Sequence, residues 1–430
     1  MSGLMPPRLH RGDQPPQLLT ALPGPASQRW IDRLAAHECP AITARRARRA
    51  ASLGVADDDP IVWDEALGSN VLDVDGNRLV DLTAGFGVAS VGHRNPAVVA
   101  AGQAQLAHLT HAMGDAYPDP QRIRLLERLS QLTGLDRTIL GSSGSDAVEA
   151  ALKTARIATG RDAVVAFSAS YHGLSYGVLS TTGYKSQSFQ APFAGQLGAH
   201  VRRARFGGEI PPLDDVGAVL VEPIQGRGGV RVPPPGWLED LIGRAHDAGA
   251  VVIFDEIYTG FGRSGVWFAF QRLPPDRRPD LVCLGKGLAG GYPVSACVGT
   301  RSVMDAWGAS RGEAIHTQTF LGNPVGCAMS LACLDEVERI IPTVPAKGAW
   351  VAGQFRERGL GVRGQGLLLG IEVDRSLALS RALLRRGYII LPAGEQAEVL
   401  AFTPPLVITW GQLADFLVAF DDARAEVAAS

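Results

Sequence analysis

Hydrophobic positions along this chain fall into short unbroken runs separated by helical stripes. Ala250-Val251-Val252-Ile253-Phe254 is an apolar, β-branched run ending on Asp255-Glu256, and it predicts a buried strand. Leu281-Val282-Cys283-Leu284 repeats the pattern just before Gly285-Lys286-Gly287. Ala163 to Phe167, Ala218 to Val221 and Thr138 to Leu140 are further strand candidates. Between them lie amphipathic stretches. Gln121 to Leu132 is predicted as a helix with Ile123, Leu125, Leu126 and Leu129 on one side. Ala147, Val148, Ala151, Leu152 and Ala155 form a second stripe, and Trp237 to Ala248 a third helix. This alternation of strand and helix predicts a mostly parallel sheet flanked by helices.

The flanks read differently. Ile61 to Asp64, Asn70 to Asn77 and Arg78 to Leu82 alternate apolar and polar positions, and Asp75-Gly76 predicts a hairpin between the last two. Gly85-Phe86-Gly87-Val88 and Gly92-His93 carry glycines spaced for close backbone approach rather than for a helix. After Pro324 a helix is expected to about Ile340. Strand-like Leu368 to Val373, Tyr388 to Leu391 and a final helix from Gln412 then suggest a second, smaller α+β unit. Residues 1 to about 30 are proline-rich, a loose arm or a partner-clasping segment. There is no internal repeat.

Composition narrows the class. The chain has 430 residues, 46% of them hydrophobic, enough for a large core, and a net charge of −2 that favours neither nucleic acid nor a membrane surface. The cluster Arg45, Arg46, Arg48 and Arg49 lacks interleaved aromatics and reads as a solvated helix face. The opening MSGLMPPRLHRGDQPPQLL has no unbroken apolar core of the signal-peptide kind, and no apolar run reaches membrane-spanning length. Cys39, Cys283, Cys297, Cys327 and Cys333 form no C-x-x-C pair, and Cys283, Cys327 and Cys333 read as buried free thiols. A soluble, cytoplasmic protein is expected, with no metal site.

Candidate chemistry lies at the strand ends. In an open α/β sheet ligands sit outside the carboxyl ends of the strands, and Asp255 and Lys286 end two neighbouring ones. A carboxylate and an amine aimed into one crevice suit pyridoxal phosphate. The lysine would hold the aldehyde as a Schiff base, and the carboxylate would keep the pyridine nitrogen protonated. GFGRSG (Gly260 to Gly265) also fits a dinucleotide fingerprint, but VWFAFQRLPPDRRPD follows in place of the required helix. GSSGSDAVEAALKTARIATG (Gly141 to Gly160) follows a strand and opens a helix, with Ser143 and Asp146 spaced as a capping box. It reads equally as an anion site or as a plain capped helix.

Six segments in order, GSSGSDAVEAALKTAR, SYHG, LVEPIQGRGG, FDEIYTGFGRSG, LGKGLAGG and HTQTFLGNP, together resemble the class III (fold-type I) pyridoxal-phosphate-dependent aminotransferases over nearly the whole chain from Ile61. The resemblance implies an α/β, fold-type I transferase. Its large domain, with a mostly parallel central sheet flanked by helices, would span residues 83–340. A smaller α+β domain would come from both chain ends, residues 1–82 (with the N-terminal arm) and 341–430. It makes Lys286 the cofactor lysine and proton shuttle, and pairs Asp255 with the pyridine nitrogen. Ile257 and Tyr171 would pack on the two ring faces, with His172 in support. Ser143, Gly144 and Ser145 would receive the phosphate, and Thr319 would reach it from a partner subunit, so a homodimer is expected. Glu222 resembles the family's buried glutamate near the ring aspartate, and Gln225 lies on the O3′ side.

The implied activity is transamination, from an amine or amino acid donor to a 2-oxo acid or aldehyde acceptor. Racemases and lyases of the same family are the alternative, and a non-catalytic binding module the remote one. The chain departs from the family pattern in the pocket. Many members carry an arginine in a segment like L-R-F-x-P-P-L, to grip the substrate carboxylate, and a glutamate in Q-G-E-G-G. This chain has Ala401 and Arg227 there. Either Arg227 supplies the positive charge from the opposite wall, or it pairs with a neighbouring acid and the substrate has no carboxylate near Ala401. Tyr258 replaces a common glutamine and could reach the cofactor or narrow the pocket. Phe86 aligns with a pocket-wall position.

Overall fold

The computed structural model describes residues 7–40, 60–309 and 314–429. The basic cluster at Arg45 to Arg49 lies outside them.

Three strands open the fold: β1 (Trp63–Leu67), β2 (Asn70–Asp73) and β3 (Arg78–Asp81), each antiparallel to the next. The expected hairpin joins β2 to β3. Asp73 Oδ1 accepts from the N–H groups of Asp75 and Asn77, and Gly76 takes φ +87°, a conformation open to glycine. The first strand begins two residues later than its alternation suggested.

The central sheet has seven strands: β4 (Arg137–Gly141), β5 (Ala163–Phe167), β6 (Val201–Ala204), β7 (Val216–Val221), β8 (Val251–Asp255), β9 (Leu281–Leu284) and β10 (Ser295–Gly299). Their order is β4-β10-β9-β8-β7-β5-β6, parallel throughout except for antiparallel β10. Both faces of the inner strands are covered, which is why β5, β7, β8 and β9 read as apolar runs, whereas edge strand β6 carries exposed Arg202 and Arg203. Along β8, Val252 and Phe254 enter the cluster containing Trp237 and Leu241, while Val251 and Ile253 enter the one containing Ala147, Val148 and Ala151. Helix Pro120–Thr133 buries Leu125 and Leu129, but Ile123 is exposed. At about 100° per residue, two positions carry Ile123 to the far side of Leu125, so it does not belong to the stripe.

A second core gathers both chain ends. Val80 and Leu82 pack with Phe355, Phe402, Phe416 and Phe420, beside β11 (Val362–Gln365), β12 (Leu368–Glu372), β13 (Tyr388–Ile389), β14 (Leu391–Ala393) and β15 (Val399–Phe402). The run Tyr388 to Leu391, expected as one strand, is two. β13 pairs in parallel with β3, whereas β14 pairs with β15 in another sheet. Arg263, fully buried after β8, donates to the carbonyls of Leu367 and Pro404 and so ties the two units together. The closing helix starts at Trp410, two residues before Gln412.

The early segment is strapped down rather than loose. Gln17 bridges Arg78, the Asn77 side chain accepts from the N–H groups of Leu19 and Thr20, and Asp75 accepts from those of Ala26 and Ser27. No helix among the described residues is long and apolar enough to cross a membrane, and no cluster there is suited to holding a metal ion.

Candidate active site

Parallel pairing brings the two strand ends together. Asp255 stands opposite Cys283 in the β8–β9 register, three residues before Lys286, so the two side chains leave the same edge of the sheet. Asp255 is held on both oxygens. Its Oδ2 accepts from His172 Nδ1 at 2.7 Å and its Oδ1 from the Ile257 N–H at 3.0 Å. A carboxylate can only accept, so the buried His172 carries its proton on Nδ1. Its Nε2 has no partner.

Lys286 lies against Tyr258, with Nζ 4.1 Å from the ring centroid. Burial lowers its amine below the usual lysine range. Asp255 and Glu222 pull the other way, and the charge of Arg227 lowers it further. Tyr258 is clamped: its hydroxyl donates to Thr403 Oγ1 at 3.1 Å, and its ring fills the space of absent side chains at Gly87 and Gly226. Gly87 ends a left-handed turn, Ala84 to Gly87, with φ of 49° and 65° at the non-glycine residues Ala84 and Phe86. Such backbone costs about 1–2 kcal/mol per residue. Asp81 holds it, accepting from the N–H groups of Thr83 and Gly85 and from His93.

The opposite end is the start of helix Gly144–Thr159, capped by Ser143 in the expected box with Asp146. The N–H groups of Gly144 and Ser145, in its first turn, have no carbonyl within the helix. Ile257 packs where a side chain at Gly144 or Gly285 would sit. Behind Tyr171 lies Glu222, whose oxygens accept from the N–H groups of Tyr171 and Gly226. Burial pushes its carboxyl up, His172 opposes that, and Asp255 adds to it.

These groups enclose one cavity of about 420 Å³, with Ser143, Gly144 and Ser145 at one end and Tyr171, His172, Glu222, Arg227, Asp255, Ile257 and Lys286 around the rest. Three residues expected at the site, Gln225, Ala401 and Phe86, are not in its lining, and Thr319, expected to act from a partner subunit, is not there either. Gln225 bridges Arg231, and its side chain is drawn away to the Ser168 carbonyl. Ala401 packs with Ile224, Val230 and Leu368 behind Tyr258. Phe86, carried outward by the left-handed turn, is 61% exposed. Thr319 is exposed in a turn whose Gln318 accepts from Ser142 Oγ at 3.2 Å. Tyr184, which no local pattern marked, contributes by packing on Tyr171 and Arg227.

The arrangement fits pyridoxal 5′-phosphate. It offers a helix start with free N–H groups for a phosphate, an apolar side chain and an aromatic ring for the two faces of a flat heterocycle, a fixed carboxylate, and an amine with lowered basicity. The class-III aminotransferase family profile matches residues 54–423. Acetylornithine aminotransferase of Methanosarcina acetivorans is 34% identical over 82% of this chain and 89% of its own length. The 4-aminobutyrate aminotransferase of Mycobacterium bovis is 34% identical over 91% of this chain and 94% of its own. Among solved structures, ornithine aminotransferase from Toxoplasma gondii superposes with a TM-score of 0.80 at 28% identity, covering 93% of this chain and 98% of that one. An amine transaminase from an uncultivated Pseudomonas species, solved in its PLP-bound form, gives 0.78 at 27%, covering 86% and 95%. This chain belongs to the class-III aminotransferases, and it is a pyridoxal-phosphate-dependent transaminase of fold-type I.

Proposed function

We propose that the protein moves the amino group of a primary amine or amino acid to a 2-oxo acid or aldehyde at the cavity between Asp255 and Lys286. Relatives named for acetylornithine and 4-aminobutyrate support that choice of donor class. The observation that carries it is the juxtaposition of Asp255 and Lys286 on adjacent strands, facing a capped helix start. When bound, pyridoxal 5′-phosphate supplies an electrophilic carbonyl and an electron-accepting ring.

Lys286 Nζ would anchor the cofactor through its carbonyl and serve as the base that takes and returns the substrate proton. Burial lowers its basicity, which favours the neutral amine. Asp255 would hold the ring-nitrogen proton, and His172 orients that carboxylate. Ser143, Gly144 and Ser145 would bind the phosphate, while Ile257 and Tyr171 would hold the ring between them. Glu222 fixes the backbone of Tyr171 and Gly226. Thr319 completes the phosphate site of a second subunit in a homodimer, a role its exposure leaves open to a partner. The protein works in the cytoplasm. The division at residues 82 and 340 is supported by the separate cores on either side.

The test is the cofactor's absorption as single amines are added without acceptor. A transaminase stops after one equivalent and restarts when a 2-oxo acid is supplied, and Lys286→Ala abolishes both phases. Continuous consumption of the amine with no acceptor would replace transamination by racemisation or elimination.

A further inference from the structure

Arg227 is a cation without a partner. Among the described residues its guanidinium makes no ion pair and no hydrogen bond, and its buried Nε is unsatisfied. The acids that share the cavity are already engaged: Asp255 accepts from His172 and Ile257, Glu222 from Tyr171 and Gly226. Two rings hold the group in place, with Cζ 4.9 Å from the Tyr171 centroid and 5.2 Å from that of Tyr184. The Gly394 N–H donates to its carbonyl at 3.0 Å and fixes the backbone. Besides Lys286 it is the only lysine or arginine lining the cavity among the described residues. Its charge reaches the lysine, whose amine it lowers. The wall behind Tyr258 is apolar, with Ala401, Ile224, Val230 and Leu368 packed together.

A buried guanidinium nitrogen without an acceptor, beside a cavity, is costly unless something arrives to accept from it. Its planar fork matches a carboxylate, and stacking between aromatic rings orders it before the ligand comes. We infer that Arg227 is the carboxylate anchor of this active site, gripping donor and acceptor in turn, so that the substrates are an amino carboxylate and a 2-oxo acid. This rests on the transaminase reading above and names the substrate class within it. The anchor is fixed rather than swinging, because both its ring contacts and its backbone hold it. An amine without a carboxylate leaves the guanidinium unpaired and is the poorer donor.

The experiment uses the cofactor-loaded enzyme and measures pyruvate and 2-oxoglutarate binding by calorimetry, without any amine, in wild type, Arg227→Met and Arg227→Lys. Methionine keeps the stem and its packing but removes the charge. The better-bound acid is expected to weaken by roughly 10- to 100-fold in Arg227→Met, the range of one or two charge-assisted hydrogen bonds. Arg227→Lys recovers part of that loss, and the neutral methyl ester of the same acid binds all three proteins alike. Unchanged melting and cofactor absorption separate lost charge from lost fold. Binding of the acid within threefold of wild type in Arg227→Met, or no preference for acid over ester in wild type, overturns the inference. If amines change the cofactor's absorption in every variant while acid binding does not move, only the anchor falls. If no amine changes it even in wild type, the transaminase reading itself falls.

Discussion

Replacing Gly226 by alanine would put one methyl group against the ring that backs Lys286. The new Cβ would sit 2.1 Å from Tyr258 Cδ1 and 2.7 Å from Cε1, so the ring must retreat by about 1.5 Å to reach ordinary contact. It has little room: Gly87 closes on its other side, and its hydroxyl is tied to Thr403. Overpacking of this kind costs about 1–3 kcal/mol, and loss of the Thr403 bond adds about 1 kcal/mol, for a total near 2–4 kcal/mol. Gly226 is not among the left-handed glycines, so the change tests steric fit without backbone strain. Urea unfolding followed by circular dichroism would compare wild type, Gly226→Ala, Tyr258→Ala and the double variant. Ranked midpoints suffice, since a chain with two cores need not unfold in one step. With the ring gone the methyl has space, and the double variant should match Tyr258→Ala alone, a coupling of at least about 2 kcal/mol. A Gly226→Ala midpoint equal to wild type, or strict additivity in the double variant, would refute the clamp.

Glu256 gives a pH dependence of definite sign. Burial pushes its carboxyl up to about 7 despite the hydrogen bonds it accepts from Thr259, Ala269 and Phe270. The folded chain therefore keeps this proton longer than the unfolded one. The contribution to stability is complete below about pH 4.5 and is lost as pH rises through 7, by about 3 kcal/mol. Glu256→Gln should flatten that decline, and identical slopes between pH 5 and 8 in the two proteins would rule it out. At the start of helix Gly144–Thr159, Ser143→Ala removes the cap at a cost of about 1 kcal/mol. Ser143→Asp should keep the cap and lose cofactor affinity by charge repulsion, as read by equilibrium dialysis. Equal affinity in the aspartate variant would place the phosphate elsewhere.

Much of the large unit was legible because burial on both faces leaves a local trace. β7 and β9 are apolar at every position and β8 at all but its last, Asp255, and the Ser143–Asp146 spacing is that of a capped helix start. Asp255 and Lys286 were readable as strand-end groups for the same reason. Signals failed where a side chain's fate depends on a distant segment. The run at Tyr388 serves two sheets because β3 and β15 each claim a part of it. Ile123 looked apolar enough to be buried, yet among the described residues it stays 47% exposed. Phe86 points outward in this chain because Asp81 and His93 hold its turn left-handed.

By itself, the order of residues determined the strand and helix alternation, the capped helix start, and the pairing of an acid with an amine at two strand ends. These are properties of short windows, set by side-chain period and hydrogen-bonding capacity. Tertiary structure decided which groups meet. Parallel register put Asp255 beside the Lys286 strand, two glycines far apart in sequence closed on Tyr258, and Tyr171 with Tyr184 came to hold Arg227. Such contacts join residues from separate elements, and only the folded packing of those elements determines their distance.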